Sequence, residues 1–203
     1  RTNLCHNAVD RHLATRGEQA ALVYVSTETG IETTYTYREL HREVNRMAAS
    51  LQALGVKRGD RVLIYLPMIP EAAFAMLACA RIGAIHSVVF GGFASNSLAT
   101  RIDDATPRVI VSADAGSRAG KVVEYKPLLD AAIDLAVHKP ERVLLVNRNL
   151  APMWHNARDV DYAALGSEHA NADVPCEWME SSEPSYILYT SGTTGKPQGV
   201  QRD

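Results

Sequence analysis

Apolar residues at Leu40, Val44, Met47, Ala48, Leu51 and Leu54 recur at steps of three and four, the period of a helix that buries one face, and Gly55 closes the pattern. Just upstream, Thr36-Tyr37-Arg38-Glu39 has the T-x-x-E form in which threonine and glutamate side chains satisfy the free amides of a helix start, so the helix is expected to begin there. Before it lie two β-prone runs, Ala20 to Ser26 and Ile31 to Tyr35, separated by the polar stretch Thr27-Glu28-Thr29-Gly30, which predicts a hairpin. Asn3 to Arg16 places Leu4, Val9 and Leu13 near helical spacing and predicts a short helix ended by Gly17 in a left-handed cap.

Further along, the pattern alternates between continuous apolar runs and helical spacing. Arg61 to Leu66 predicts a strand, Pro67 and Pro70 bracket a turn, Glu71 to Ile82 predicts a buried helix stopped by Gly83, and Ile85 to Phe90 predicts another strand, together a β-α-β unit. Gly91-Gly92 makes the next turn. Ser95 to Ala105 then reads as a helix, Arg108 to Ser112 as a strand, Pro127 to Val137 as a helix and Arg142 to Asn147 as a strand. The segment from Leu150 to Pro184 is less regular, with Trp154, Tyr162 and Trp178 as expected anchors and one helix near Val160 to Leu165. Ser185 to Thr190 is apolar and β-prone. Strands alternating with helices of about a dozen residues predict an α/β fold, a mostly parallel sheet with helices on both faces, whose ligands bind at the carboxyl ends of the strands.

Composition narrows the function classes. The 203 residues carry 21 basic and 23 acidic side chains, a net charge of -2 with no long run of either sign, so neither nucleic acid nor a membrane surface is expected as a partner. The longest apolar stretch, Ala72 to Ala80, falls far short of the roughly 18 residues a spanning helix needs. Cys5, Cys79 and Cys176 are odd in number and widely spaced, which predicts neither a disulfide framework nor a zinc site and favours a reducing cytoplasm. No metal ligands are expected. The chain opens on Arg1-Thr2-Asn3 and stops at Gln201-Arg202-Asp203, both abrupt, so it is expected to be a piece of a longer protein.

The chemistry concentrates near the carboxyl end. Tyr189-Thr190-Ser191-Gly192-Thr193-Thr194-Gly195-Lys196-Pro197-Gln198-Gly199 follows a predicted strand and is dense in glycines and hydroxyls, with a single lysine. Glycines let backbone amides approach a polyphosphate, hydroxyls donate to its oxygens and lysine offsets its charge. A P-loop of the form G-x-x-x-x-G-K-[ST] is excluded, because it needs glycine at Thr190 and a hydroxyl residue at Pro197. The plainer reading is a surface turn rich in Gly, Ser and Thr. Elsewhere, Gly91 and Gly92 follow a strand and suit close approach of a ligand, while Arg118 and Lys121 flank Gly120 in a polar loop and suit an anionic phosphate; a tight turn and a solvated cation pair are the ordinary alternatives. His86, beside an apolar strand, reads as a core or interface histidine.

The glycine-rich loop resembles the signature loop of the acyl-adenylate-forming enzymes, in which it holds the β- and γ-phosphates of ATP. Gln198 departs from that pattern, since most members have lysine there, and an amide keeps hydrogen-bonding capacity without the charge. Other stretches are similar to one branch, the acetyl- and propionyl-CoA synthetases, over nearly the whole chain. They are Thr34 to Leu40, Gly59 to Val62, Tyr65 to Glu71, Met76 to His86 and Ser87 to Phe93. Val200-Gln201-Arg202-Asp203 is more like the propionyl-CoA than the acetyl-CoA members, which usually place a histidine soon after the valine.

The resemblance implies that the parent protein uses ATP, Mg2+ and coenzyme A to activate propionate, or alternatively acetate, in two steps through an acyl-adenylate. It implies ATP-phosphate contacts at Thr190, Ser191, Gly192, Thr193, Thr194, Gly195 and Lys196, and coenzyme A contacts at Phe90, Gly91, Gly92 and Arg118. Residues 1–203 would form the amino-terminal portion of the AMP-binding domain. The nucleoside ligands, acyl pocket, metal-binding glutamate and mobile carboxyl-terminal domain with its essential lysine would lie further on, so the chain alone is expected not to turn over. The alternative from another class is a non-catalytic nucleotide- or CoA-binding α/β module.

Overall fold

The computed structural model describes residues 1–190 and 197–203. Its first segment departs from the single helix expected over Asn3 to Arg16. Helix α1 (Leu4–Ala8) is followed by a 3-10 turn, Asp10–His12, and then by α2 (Leu13–Arg16). The break has a tertiary cause. Val9 leaves helical geometry at φ -127° and is buried, and Asp10 is held by both terminal nitrogens of Arg81 at 2.9 Å. Gly17 is right-handed at φ -51°, not the expected left-handed cap. It is a close-approach glycine instead, since a Cβ there would lie 2.5 Å from Arg38 Nη2 and 2.7 Å from the Leu13 carbonyl.

The hairpin and long helix form where the pattern places them. Strand β1 (Ala20–Val25) pairs antiparallel with β2 (Glu32–Thr36), and α3 (Tyr37–Ala53) follows at once. The Glu39 amide donates to Thr36 Oγ1 at 3.2 Å and the Thr36 amide to Glu39 Oε2 at 2.9 Å, a reciprocal cap of the kind that stabilises a helix by about 1 kcal/mol.

The main sheet is built from β3 (Arg61–Tyr65), α4 (Pro70–Ile82), β4 (Ile85–Val88), α5 (Ser95–Ala105) and β5 (Val109–Ala113), continued below by later strands. Pro70 opens α4 at a position where its missing N–H is harmless, and Gly83 closes it in the left-handed region at φ 72°. After β5 the polar loop expected around Arg118 is instead a small antiparallel hairpin, β6 (Ala115–Arg118) and β7 (Lys121–Glu124). Ala119 at φ 51° and Gly120 at φ 75° form its two-residue turn, the type I′ geometry whose twist suits tight hairpins. An Ala-Gly pair in a hydrophilic stretch gives little sign of it. Helix α6 (Tyr125–Leu135), β8 (Arg142–Val146), β9 (Asp159–Asp161), α7 (Tyr162–Glu168), β10 (Tyr186–Thr190) and β11 (Gln198–Arg202) complete the order.

Seven strands lie side by side as β11-β10-β4-β3-β5-β8-β9, all neighbours parallel except β10 and β11. The fold is therefore α/β with a mostly parallel sheet, as expected. Alternate residues of one strand serve opposite faces. Val62, Ile64, Val109, Val111 and Leu144 pack with α3, α4 and α7, whereas Leu63, Tyr65, Ile110, Val143 and Leu145 pack with α5 and α6. No helix among the described residues is long and apolar enough to cross a membrane. Of the expected anchors, Tyr162 is buried, but Trp154 and Trp178 are each 46% exposed and lie on the surface.

Candidate functional site

The parallel strands bring their carboxyl ends, Tyr65, Val88, Ala113, Val146 and Thr190, to one edge of the sheet. Chain order puts the expected crevice there. From β3 the chain moves to β4 on one side and returns to β5 on the other, and loops diverge at such a reversal to leave room for a ligand.

The Phe90-Gly91-Gly92 turn leaves β4 at this edge. Below it, Tyr65 and Tyr125 stack at 4.8 Å between ring centroids, and Tyr65 Oη donates to the Gly91 carbonyl at 3.5 Å. Burial raises both phenol pKa values above the ordinary one, so both hydroxyls are protonated donors at neutral pH. Gly91 is required by this packing, because a Cβ there would lie 1.7 Å from Tyr125 Oη. Gly92 sits under two side-chain tips, with its Cβ direction 2.5 Å from Phe90 Cε1 and 2.9 Å from Arg118 Nη1.

Arg118 thus reaches the turn from the tip of the β6–β7 hairpin, its guanidinium carbon 5.8 Å from the centre of the Phe90 ring. The structure brings Arg118 to Phe90, Gly91 and Gly92, from which it is distant in sequence. Phe90 is 62% exposed, leaving an aromatic face and a cation open to solvent. The hairpin that aims Arg118 is held at its base. Asp114, fully buried, accepts from the amides of Arg148 at 2.9 Å, Leu150 at 2.7 Å and Ala151 at 3.2 Å. Glu28, in the β1–β2 turn, accepts from the Ser117 amide at 3.0 Å and from Arg148 Nη2 at 2.7 Å.

Thr190 ends β10 at the same edge and is exposed. Ser191, Gly192, Thr193, Thr194, Gly195 and Lys196 lie outside the described residues. Tyr189 Oη donates to Asp104 Oδ2 at 2.7 Å, and burial together with that hydrogen bond raises the phenol pKa. Beyond the loop, Gln198 pairs with Thr190 and Gly199 with Tyr189 in the antiparallel β10–β11 ladder, a strand the sequence pattern did not predict.

Arg101 of α5 lies between Tyr189 of β10 and Phe93, just past the glycine turn. Its guanidinium carbon lies 4.1 Å from the centre of the Phe93 ring and 5.3 Å from that of Tyr189, and only 6% of the residue is exposed. Sequence reading passed over Arg101, because a lone arginine at a helical position signals nothing until its neighbours are known. It passed over Lys126 for the same reason. That lysine is fully buried, bonded to Asp130 at 2.6 Å and to the buried carboxylate of Asp159 at 2.9 Å, and it fastens α6 to β9 at the edge of the sheet.

Among the described residues, the grouping of His, Cys, Asp or Glu close enough to share an ion is Cys5, Asp10 and Cys176, and it lies near the carboxyl end of α4, at the opposite end of the sheet from the crevice. His86 keeps the bland role expected of it. It stacks on Tyr186 at 5.7 Å, and burial pushes its pKa down to about 4.

A family model described as AMP-binding enzyme matches residues 9–203. The chain is 64% identical over 204 residues to a propionate–CoA ligase of Escherichia coli (strain K12), covering 100% of this chain and 32% of that protein. It is 51% identical over 199 residues to acetyl-coenzyme A synthetase 2 of Pseudomonas putida, covering 98% of this chain and 31% of that one. It is also 48% identical over 204 residues to the mitochondrial acyl-CoA synthetase short-chain family member 3 of Rattus norvegicus, with 98% and 29% covered. The chain spans about a third of the length of these relatives.

Proposed function

Because the chain belongs to the AMP-binding enzyme family, we propose that it forms the amino-terminal part of the adenylating domain of a short-chain acyl-CoA synthetase that activates propionate. In this reading a carboxylate oxygen attacks the α-phosphorus of ATP and pyrophosphate leaves. The thiolate of coenzyme A then attacks the acyl carbon, and AMP leaves as the thioester forms. Magnesium ion would neutralise phosphate charge in the first step. Thr190 and the loop of Ser191 to Lys196 would hold and neutralise the departing pyrophosphate, a task of positioning and electrostatics.

The observation that supports this reading best is the meeting of the Phe90-Gly91-Gly92 turn with Arg118 at the carboxyl edge, on the strand next to the one that feeds the loop. An exposed aromatic face beside a guanidinium suits a nucleotide, the ring taking the base and the cation a phosphate. Coenzyme A carries both. Propionate is favoured over acetate by the 64% identity to propionate–CoA ligases against 51% to an acetyl-coenzyme A synthetase.

The reading is tested by pyrophosphate release from the intact protein with ATP, coenzyme A and acetate, propionate or butyrate in turn. Propionate is expected to give the highest kcat/KM. A preference for acetate would replace the substrate, and no acid-dependent release with any of the three would favour a binding module without catalysis.

A further inference from the structure

The end of the sheet away from the crevice holds a feature that acid activation does not use. Thr2 and Met179 form an antiparallel bridge, the Thr2 amide donating to the Met179 carbonyl at 2.8 Å and the Met179 amide to the Thr2 carbonyl at 2.9 Å. Asn3 Nδ2 donates to the carbonyls of Glu177 at 2.7 Å and Ala80 at 2.8 Å, binding the amino-terminal segment to both the 176–180 strap and the end of α4. Three residues beyond Thr2 is Cys5, and three before Met179 is Cys176. The bridge therefore sets them against each other, and their sulfurs and a carboxylate oxygen of Asp10 all lie within 4.8 Å. All three cysteines of the chain are free thiols.

The surroundings differ for the two. Cys5 is fully buried, with Arg81 Nη1 3.4 Å from its sulfur and Asp10 Oδ2 at 3.9 Å, while Cys176 is partly exposed. Arg81, itself 3% exposed, donates to Asp10 through two nitrogens at 2.9 Å and to the Val174 carbonyl through Nε at 2.5 Å. A cation shared by Cys5, Asp10 and Cys176 would have to settle beside this fixed positive charge, which argues against a metal centre; the same charge favours thiolate on Cys176, while the hydrogen bond to Cys176 and burial hold Cys5 as the thiol.

We propose that Cys5 and Cys176 are a modification site, a dithiol that closes to a reversible disulfide by exchange with a low-molecular-weight disulfide such as glutathione disulfide. Cys176 attacks first, being reachable, and its pKa is lowered by the Cys5 S–H donated to it and by the Arg81 charge. Its thiolate forms a mixed disulfide and expels one small thiolate, which takes up a proton. Cys5 then gives up its proton, attacks Cys176 Sγ and expels the second small thiol. The sum is two protein thiols and one small disulfide in, one protein disulfide and two small thiols out. The sulfurs need only close from within 4.8 Å to a bond of about 2 Å. The bond would fasten the amino-terminal helix to the strap that leads into β10.

The test is to hold the natively folded protein in glutathione disulfide, quench in acid, alkylate, digest and quantify linked peptides. A Cys5–Cys176 peptide is expected as the main product, about 2 Da lighter than the two reduced peptides together and reversed by dithiothreitol. Cys79→Ser should not change its yield, because Cys79 is buried in α4 and burial raises its pKa. Cys5→Ser should trap the glutathione adduct on Cys176. Should that variant not fold, Cys176→Ser, at the more exposed position, should instead abolish oxidation at Cys5. A glutathione adduct that persists on Cys176 of the unaltered protein, linkage through Cys79, or stoichiometric zinc that blocks oxidation would each overturn the proposal.

Discussion

The two halves of the main sheet are built differently. On β3, β5 and β8 every residue of Val62 to Tyr65, Val109 to Ala113 and Val143 to Val146 is buried, with helices on both faces. On β10 and β11 no described residue is buried, Leu188 is 49% exposed, and an apolar surface of Ala73, Met76, Leu77, Val88 and Leu188 lies open beside them. The first half is scaffold, stabilised within the chain. The second carries the glycine-rich loop, and it joins the rest through a short β4–β10 ladder, the His86–Tyr186 stack and the contacts of Tyr189 with Asp104 and Arg101. Stability and ligand chemistry should therefore separate along the sheet.

The largest expected effect is at the buried ion pair of the scaffold half. Lys126→Ala removes the cation paired with the buried Asp159 carboxylate, leaving it only the Asn156 amide and Arg158 at 4.0 Å, and should destabilise by about 3–5 kcal/mol in urea unfolding. Leu63→Ala, opening a cavity on a strand buried on both faces, should cost about 2–5 kcal/mol, whereas Leu188→Ala in this 203-residue chain should cost less than about 1 kcal/mol. Equal losses at Leu63 and Leu188 would break the comparison.

A smaller effect is pH-dependent and sits where the halves meet, at His86 on β4. Burial lowers its folded pKa from the ordinary 6.5 to about 4, so as pH falls the unfolded chain binds the proton first. The stability tied to the neutral ring is full above about pH 6.5 and is lost as pH falls toward 4, about 2 kcal/mol between pH 7.5 and 5. His86→Gln should flatten that part of the profile in paired urea titrations; an unchanged slope would mean the ring is solvated.

Local pattern was enough for much of the scaffold. The repeat from Leu40 to Leu54, the Thr36–Glu39 cap and the Glu71 to Ile82 helix depend on neighbours a few residues away, and each forms as expected, the last one residue earlier at Pro70. What escaped depends on distant partners. Val9 breaks the first helix because Asp10 is drawn to Arg81, Lys126 matters because Asp159 arrives from a strand of three residues, and Cys5 meets Cys176 through a bridge at Thr2. Arg118 is instructive in another way. Local reading leaves it open between an anion-binding residue and a solvated surface cation, and the resemblance points to coenzyme A; the hairpin that aims it at Phe90 was invisible in Ala119-Gly120.

In the function proposed above, one sheet edge would serve two half-reactions with different residues, the loop after β10 for ATP and the Phe90-Gly91-Gly92 turn with Arg118 for coenzyme A. The most direct test compares Arg118→Ala with the unaltered intact protein in two assays, propionate-dependent ATP–pyrophosphate exchange without coenzyme A and thioester formation across a coenzyme A titration. Loss of one phosphate contact of about 1.5–3 kcal/mol predicts a rise in KM for coenzyme A of about 10- to 150-fold, with exchange within about twofold of the unaltered protein. An equal fall in both assays, or an unchanged KM for coenzyme A, would contradict the claim.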